Sequence, residues 1–170
     1  MSSRIVLALA LAGAALTAQA QTCDHNNIRP SAPAARFIVD SNKGTVLDTR
    51  TGLTWKRCVE GQSGEACVGS TVYLNWGAAL SRAEASAFAG FKDWRIPNSK
   101  ELESLLEVQC YGFAINLSVF PNDPSTWVWA SSPFANHADY AWNVYFYYGL
   151  SISLDLRGNN HAVRFVRGGQ

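Results

Sequence analysis

Four cysteines constrain this chain more than any other feature in it. Cys23, Cys58, Cys67 and Cys110 all follow an apolar leader. In that leader Arg4 supplies one positive charge, Ile5 to Leu16 form an apolar run, and Ala18-Gln19-Ala20 offers small residues at a cleavage position. The pattern is that of a secretory signal peptide over residues 1–20. An apolar run of about 12 residues is too short to span a bilayer, which needs about 20. The mature chain is expected to begin near Gln21 and to be exported, to the periplasm, the cell surface or the medium, without membrane insertion. An even number of cysteines in an exported chain predicts two disulfides. Cys58 and Cys67 flank the polar stretch Val59 to Ala66, so a local bridge closes easily. That leaves Cys23 for Cys110, a bridge that staples the N-terminal tail to the domain. The sequence has no CxxC pair, and no metal site or other cofactor is expected.

Charge then excludes whole classes of partner. Without Arg4, 13 basic residues balance 13 acidic ones. A neutral domain is not an electrostatic binder of nucleic acid, nor a polybasic membrane-surface protein. At 48% hydrophobic residues and with six tryptophans, the chain has enough apolar surface to fold as one domain.

Residues 21–35 are polar, carry Pro30 and Pro33, and read as an extended tail held only by Cys23. From residue 36 the pattern is β: Phe37-Ile38-Val39, Thr45-Val46-Leu47 and Leu53-Thr54-Trp55 are separated by Asn/Asp/Gly turns. Two helices follow. Asn75 caps one that runs through Trp76, Leu80 and Ala87 towards Gly90. Asn98 and Glu101 have capping-box spacing ahead of another over Lys100 to Glu107. The rest is β again, with strands over Trp127 to Ala130, Ala141 to Tyr148, Ser151 to Leu156 and Ala162 to Arg167. The order predicts an α+β domain of antiparallel hairpins, two helices and disulfide staples.

The common catalytic motifs are missing: no G-x-S-x-G, H-E-x-x-H, P-loop or G-x-G-x-x-G string occurs. Ser131 or Ser132 with His137 is the one hydrolase-like candidate, and a strand ending at Ser-Ser-Pro is the simpler reading. Glu101, Glu103 and Glu107 read as a solvated helix face, and Asp93 as a partner in a structural hydrogen bond or ion pair. The aromatic distribution says more, since nine aromatics crowd into residues 127–148. If Trp142, Val144 and Phe146 point inward, Asn143, Tyr145 and Tyr147 point outward. Ile152, Leu154 and Leu156 form a second inward set, opposite Ser151, Ser153, Asp155 and Arg157. By the same rule Val163, Phe165 and Arg167 alternate with Ala162, Arg164 and Val166. A face of Tyr, Asn, Ser, Asp and Arg has paratope-like composition and also suits sugar stacking.

Several strings resemble a known family. Thr45-Val-Leu-Asp-Thr-Arg-Thr-Gly-Leu-Thr-Trp55, Asp93-Trp-Arg-Ile-Pro-Asn98, Trp129-Ala-Ser-Ser-Pro133 and Val163-Arg-Phe-Val-Arg167 together resemble the Lcl C-terminal domain family over residues 36–170. The resemblance implies a C-type-lectin-like fold in which a β-rich C-terminal segment presents a ligand face. It implies scaffold roles for Trp55, Trp94, Arg95, Trp129, Ser131, Ser132, Arg164 and Arg167. Relatives include exported adhesins and target proteins of diversity-generating retroelements. Carried over, the ligand-facing positions are Asn143, Tyr145, Tyr147, Tyr148, Leu150, Ser151, Ser153, Asp155, Arg157, Asn159, Asn160 and His161. The expectation is therefore an exported, non-catalytic, adhesin-like module that binds a surface glycan, a glycosaminoglycan or a protein. A structural envelope component whose face is a homo-oligomer interface is the alternative, and an exported hydrolase a more distant one.

Overall fold

The computed structural model describes residues 21–148 and 151–168. The leader expected over 1–20, Leu150, and the side chains of Ser151 and Ile152 lie outside the described residues. The structure is α+β. Its strands are β1 (Thr22–Cys23), β2 (Phe37–Asp40), β3 (Thr45–Asp48), β4 (Thr54–Lys56), β5 (Tyr73–Leu74), β6 (Cys110–Tyr111), β7 (Trp127–Pro133), β8 (Tyr140–Tyr145), β9 (Ser151–Leu156), β10 (His161–Ala162) and β11 (Val166–Arg167). The helices α1 (Trp76–Glu84) and α2 (Ser99–Glu103) fall between β5 and β6. Both expected disulfides are present, Cys23–Cys110 and Cys58–Cys67.

Among the described residues three sheets form, ordered β1-β6, β5-β10-β7-β8-β9 and β11-β4-β3-β2. The five-stranded sheet is apolar on both faces at its centre. Val128, Ala130 and Val144 pack on one side with Val46, Trp55, Leu102, Leu105 and Phe120. Trp129 and Ala141 pack on the other with Ala79 and Ala83 of α1, Trp94, Ile96 and Phe165. A strand covered on both faces gives alternation no solvent side to report. Asn143, expected outward, is accordingly 1% exposed. The reverse error falls at the open end of β9, where Leu156, expected inward, is 44% exposed.

Both helices start where the sequence places them and stop early. The Asn75 side chain accepts from the Ala78 amide at 2.9 Å, and Asn98 and Glu101 form the full capping box. Helix α1 ends near Ala85 because Ser86 Oγ accepts from the Phe88 amide and Trp94 Nε1 donates to the Phe88 carbonyl. These bonds hold the chain in a turn, in which Gly90 takes φ +81°. Helix α2 ends at Ser104, whose hydroxyl donates to the Glu101 carbonyl. The chain then tightens, with Leu105 and Leu106 amides bonding three residues back, so that both leucines enter the core.

The tail is held at far more points than Cys23. Glu107, expected in solvent, is 4% exposed, and its carboxylate accepts from the Ser31 and Ala32 amides. Gln109 donates to the Ile28 carbonyl at 2.8 Å, and Gln21 to the Ile115 carbonyl at 2.8 Å. Glu107 and Gln109 side chains satisfy backbone groups of the tail, and Gln21 of the tail satisfies a carbonyl of the 107–115 segment, an obligation composition does not reveal. Glu101 is not simply solvated either, since it takes both Arg95 nitrogens at 2.7 Å.

The last expected strand is two strands in two sheets. Ala162 pairs with Val128 of β7, whereas Val166 pairs with Trp55 of β4. Residues 162–166 cross between layers and are all buried. Arg164, to which the family strings give a scaffold role, is 1% exposed and reaches Asp123 Oδ2 at 2.7 Å.

Candidate functional site

The open part of the five-stranded sheet lies at its two ends. At one end β8 runs out through Tyr145 into Tyr147 and Tyr148. Trp127 of β7 lies opposite Tyr145 in register, and their rings stack at 4.5 Å with 19° between planes. Tyr147 continues the row at 5.9 Å and 20°, and Tyr148 meets Tyr147 edge-on at 4.7 Å. Tyr147 is 38% and Tyr148 65% exposed, while Tyr145 and Trp127 are half-buried. Neighbouring Tyr111 is 59% exposed, and the Gly112 amide beside it donates to the Tyr147 carbonyl. The adjacent Phe146 is buried and its carbonyl accepts from the Ala114 amide. The rings therefore stand on a backbone pinned to the segment that Cys110 and the tail hold in place.

At the other end the 155–161 turn closes on itself. Asp155 Oδ2 lies 2.7 Å from His161 Nε2, Asn159 Nδ2 donates to Asp155 Oδ1, and the Leu156 amide donates to the same oxygen. Burial pushes the Asp155 carboxyl up, but these hydrogen bonds outweigh it and hold its pKa below the ordinary value. His161 packs edge-on against Trp129 at 4.4 Å. Arg157 lies 4.2 Å over the Trp76 ring and donates to the Tyr140 carbonyl. Asn160 is exposed.

The expected ligand-facing residues thus separate into groups. Tyr145, Tyr147 and Tyr148 come together. Asp155, Asn159 and His161 come together elsewhere, as the internal bonding of a turn. Asn143 is buried between Trp129 and Ser153 in register, with its Oδ1 lacking a partner. Trp127 and Tyr111 were missed by the sequence reading. Alternation puts Trp127 and Val128 on opposite faces, but only the β7–β8 register places Trp127 with Tyr145; Tyr111 had no signal.

The residues expected as scaffold make internal contacts. Trp55 is fully buried. Trp129 Nε1 donates to the Leu74 carbonyl, and Arg95 also reaches the Gly168 carbonyl. Arg167 pairs with Asp93 at 2.8 Å and lies 3.9 Å over Phe91. The Ser131 amide donates to the Pro97 carbonyl, and Ser132 Oγ accepts from the Ser99 amide at the start of α2. His137 stacks on Phe134.

The profile of the Lcl C-terminal domain family matches residues 44–167, most of the described chain. The chain belongs to the Lcl C-terminal domain family. No curated protein matches it in sequence. The family match runs from the β2–β3 turn to β11 and so includes both ends of the sheet, while the tail that backs the tyrosine end precedes it. In this Lcl C-terminal domain, a cavity of about 190 Å3 lies between the β2–β3 turn and the Cys58–Cys67 loop, lined by Lys43, Lys56, Gln62 and Phe88 among others. None of the clustered tyrosines lines it. Among the described residues no group of His, Cys, Asp and Glu is arranged to hold a metal ion, and no helix is long and apolar enough to cross a membrane.

Proposed function

We propose that this Lcl C-terminal domain is an exported, non-catalytic binding module whose ligand seats on the tyrosine end of the five-stranded sheet. The observation that carries the reading is the row Trp127–Tyr145–Tyr147–Tyr148, four aromatic rings each touching the next, with Tyr147 and Tyr148 open to solvent. Amphipathic rings held rigidly at a surface make large contacts at low entropy cost. The two disulfides support export. The Ser132 hydroxyl is engaged at the start of α2 and His137 against Phe134, which favours binding over nucleophilic chemistry.

The test is retention of fluorescently labelled protein on intact cells. Alanine at Tyr145 and Tyr147 together is expected to abolish retention and leave the oligomeric mass unchanged by light scattering. Full retention by that variant sinks the reading. A change in mass instead assigns the face to contact between copies.

A further inference from the structure

We infer that the ligand of the tyrosine platform is an uncharged glycan, its sugar rings lying on Tyr147 and Tyr148 with no ionic contact. This inference rests on the binding-module reading and specifies the chemistry of the same site.

Charge comes first. The segments that build the platform, 110–113, 124–130 and 141–148, contain no Lys, Arg, Asp or Glu. Asp155, the carboxylate of the turn, is remote along the strand, while His161 of the same turn reaches β7, where Ala162 pairs with Val128 and the His161 ring packs on Trp129. Tyr145 lies opposite Ser151, whereas Ala141 lies opposite Asp155. Four residues of strand at about 3.4 Å each separate them by about 14 Å. That exceeds the screening length of about 8 Å at physiological salt. The charges of the turn are also engaged, Asp155 by His161, Asn159 and the Leu156 amide, and Arg157 over Trp76. Asp123, just before the platform, is fully buried and paired with Arg164. Asp24 of the tail turns back on Asn26 and Asn27. A sulfated or carboxylated chain would find no Lys or Arg in these segments to draw it in, and exposed Asp24, whose amide pairs with Gln109, adds a negative charge that would repel it.

Area then separates a glycan from a protein. At roughly 200 Å2 of surface per ring, the open fractions of Tyr111, Tyr147 and Tyr148 amount to about 300 Å2. A stable protein interface covers about 800 Å2 on each partner, of which about 450 Å2 is apolar, still more than these rings offer. No exposed aliphatic residue of segments 110–113, 124–130 or 141–148 extends the ring surface. A few sugar rings need no more than this. Their C–H faces pack on the tyrosine rings and their hydroxyls exchange hydrogen bonds with the tyrosine hydroxyls.

The deciding experiment is titration calorimetry of the oxidised, exported protein with cellohexaose, chitohexaose, laminarihexaose and a heparin hexasaccharide, at low and at high salt. At least one neutral hexasaccharide is expected to bind, with a Kd that moves less than about twofold between the salts. Y147A/Y148A should weaken it about tenfold or more, and N159A/N160A should not change it. Binding of the heparin fragment alone overturns the inference, as does the absence of binding by every neutral sugar. If Y147A/Y148A loses retention on cells while no neutral sugar binds, the glycan assignment falls and the binding module stands. If Y147A/Y148A keeps full retention on cells, the binding-module reading itself falls.

Discussion

The two ends of one sheet carry the same kind of residues in different states. At the 155–161 turn the polar groups are consumed internally: Asp155 takes three partners, and Arg157 is spread over Trp76. At the tyrosine end the backbone is tied down, through Gly112 to Tyr147 and Ala114 to Phe146, while the side chains are left open. Both ends look alike to a rule that sorts residues by side of a strand. What separates them is whether a side chain spends its bonding capacity on its own fold. A turn that bridges the sheet with charged groups stabilises; rings on a pinned backbone remain available to a partner.

Breaking the covalent support of the tyrosine end should have the largest effect. Cys23–Cys110 spans 87 residues and Cys58–Cys67 only 9. On chain entropy C23A/C110A should cost about 4–5 kcal/mol, against about 2.5–3 kcal/mol for C58A/C67A, by denaturant unfolding. C23A/C110A should also loosen the tyrosine platform, read as faster exchange of the Gly112 and Ala114 amides; C58A/C67A should leave that exchange alone.

Next comes the turn. D155A removes three hydrogen bonds from a partly exposed site and should cost about 2 kcal/mol, with ligand binding unaffected. The pH dependence has a definite sign. Because the folded pKa of Asp155 is lowered, its stabilisation is present above the unfolded carboxyl value near 3.9 and is lost as pH falls towards the folded value. Other carboxylates, including Asp48 and Glu101, are lowered too. The difference between wild type and D155A isolates this group, and that difference should shrink below about pH 4.

Exposed rings should matter little to the fold. Y147A/Y148A is expected to cost about 1 kcal/mol or less from lost ring contacts, with binding lost. The smallest effect is expected from N143L. It replaces a buried amide whose oxygen lacks a partner, so stability should shift by less than about 1 kcal/mol and binding not at all. Loss of binding in N143L would restore the purely alternating picture of this face.

The sequence legibly held what local chemistry decides. Asn75, Asn98 and Glu101 marked both helix starts, because caps satisfy neighbouring backbone amides. Cysteine spacing led to both bridges, and the family strings to the domain. What could not be read depends on layers meeting. Asn143 is buried because α1 and the 161–165 crossing pack on its side of the sheet. Glu107 is buried because the tail folds over it. The tyrosine cluster was legible as composition, but its partner Trp127 became visible only through register.

The central claim is that ligand meets the tyrosine end and not the turn. Retention on the same cells should be compared for Y147A/Y148A and N159A/N160A. The account predicts loss in the first and wild-type retention in the second. Loss in the second with retention in the first would contradict it.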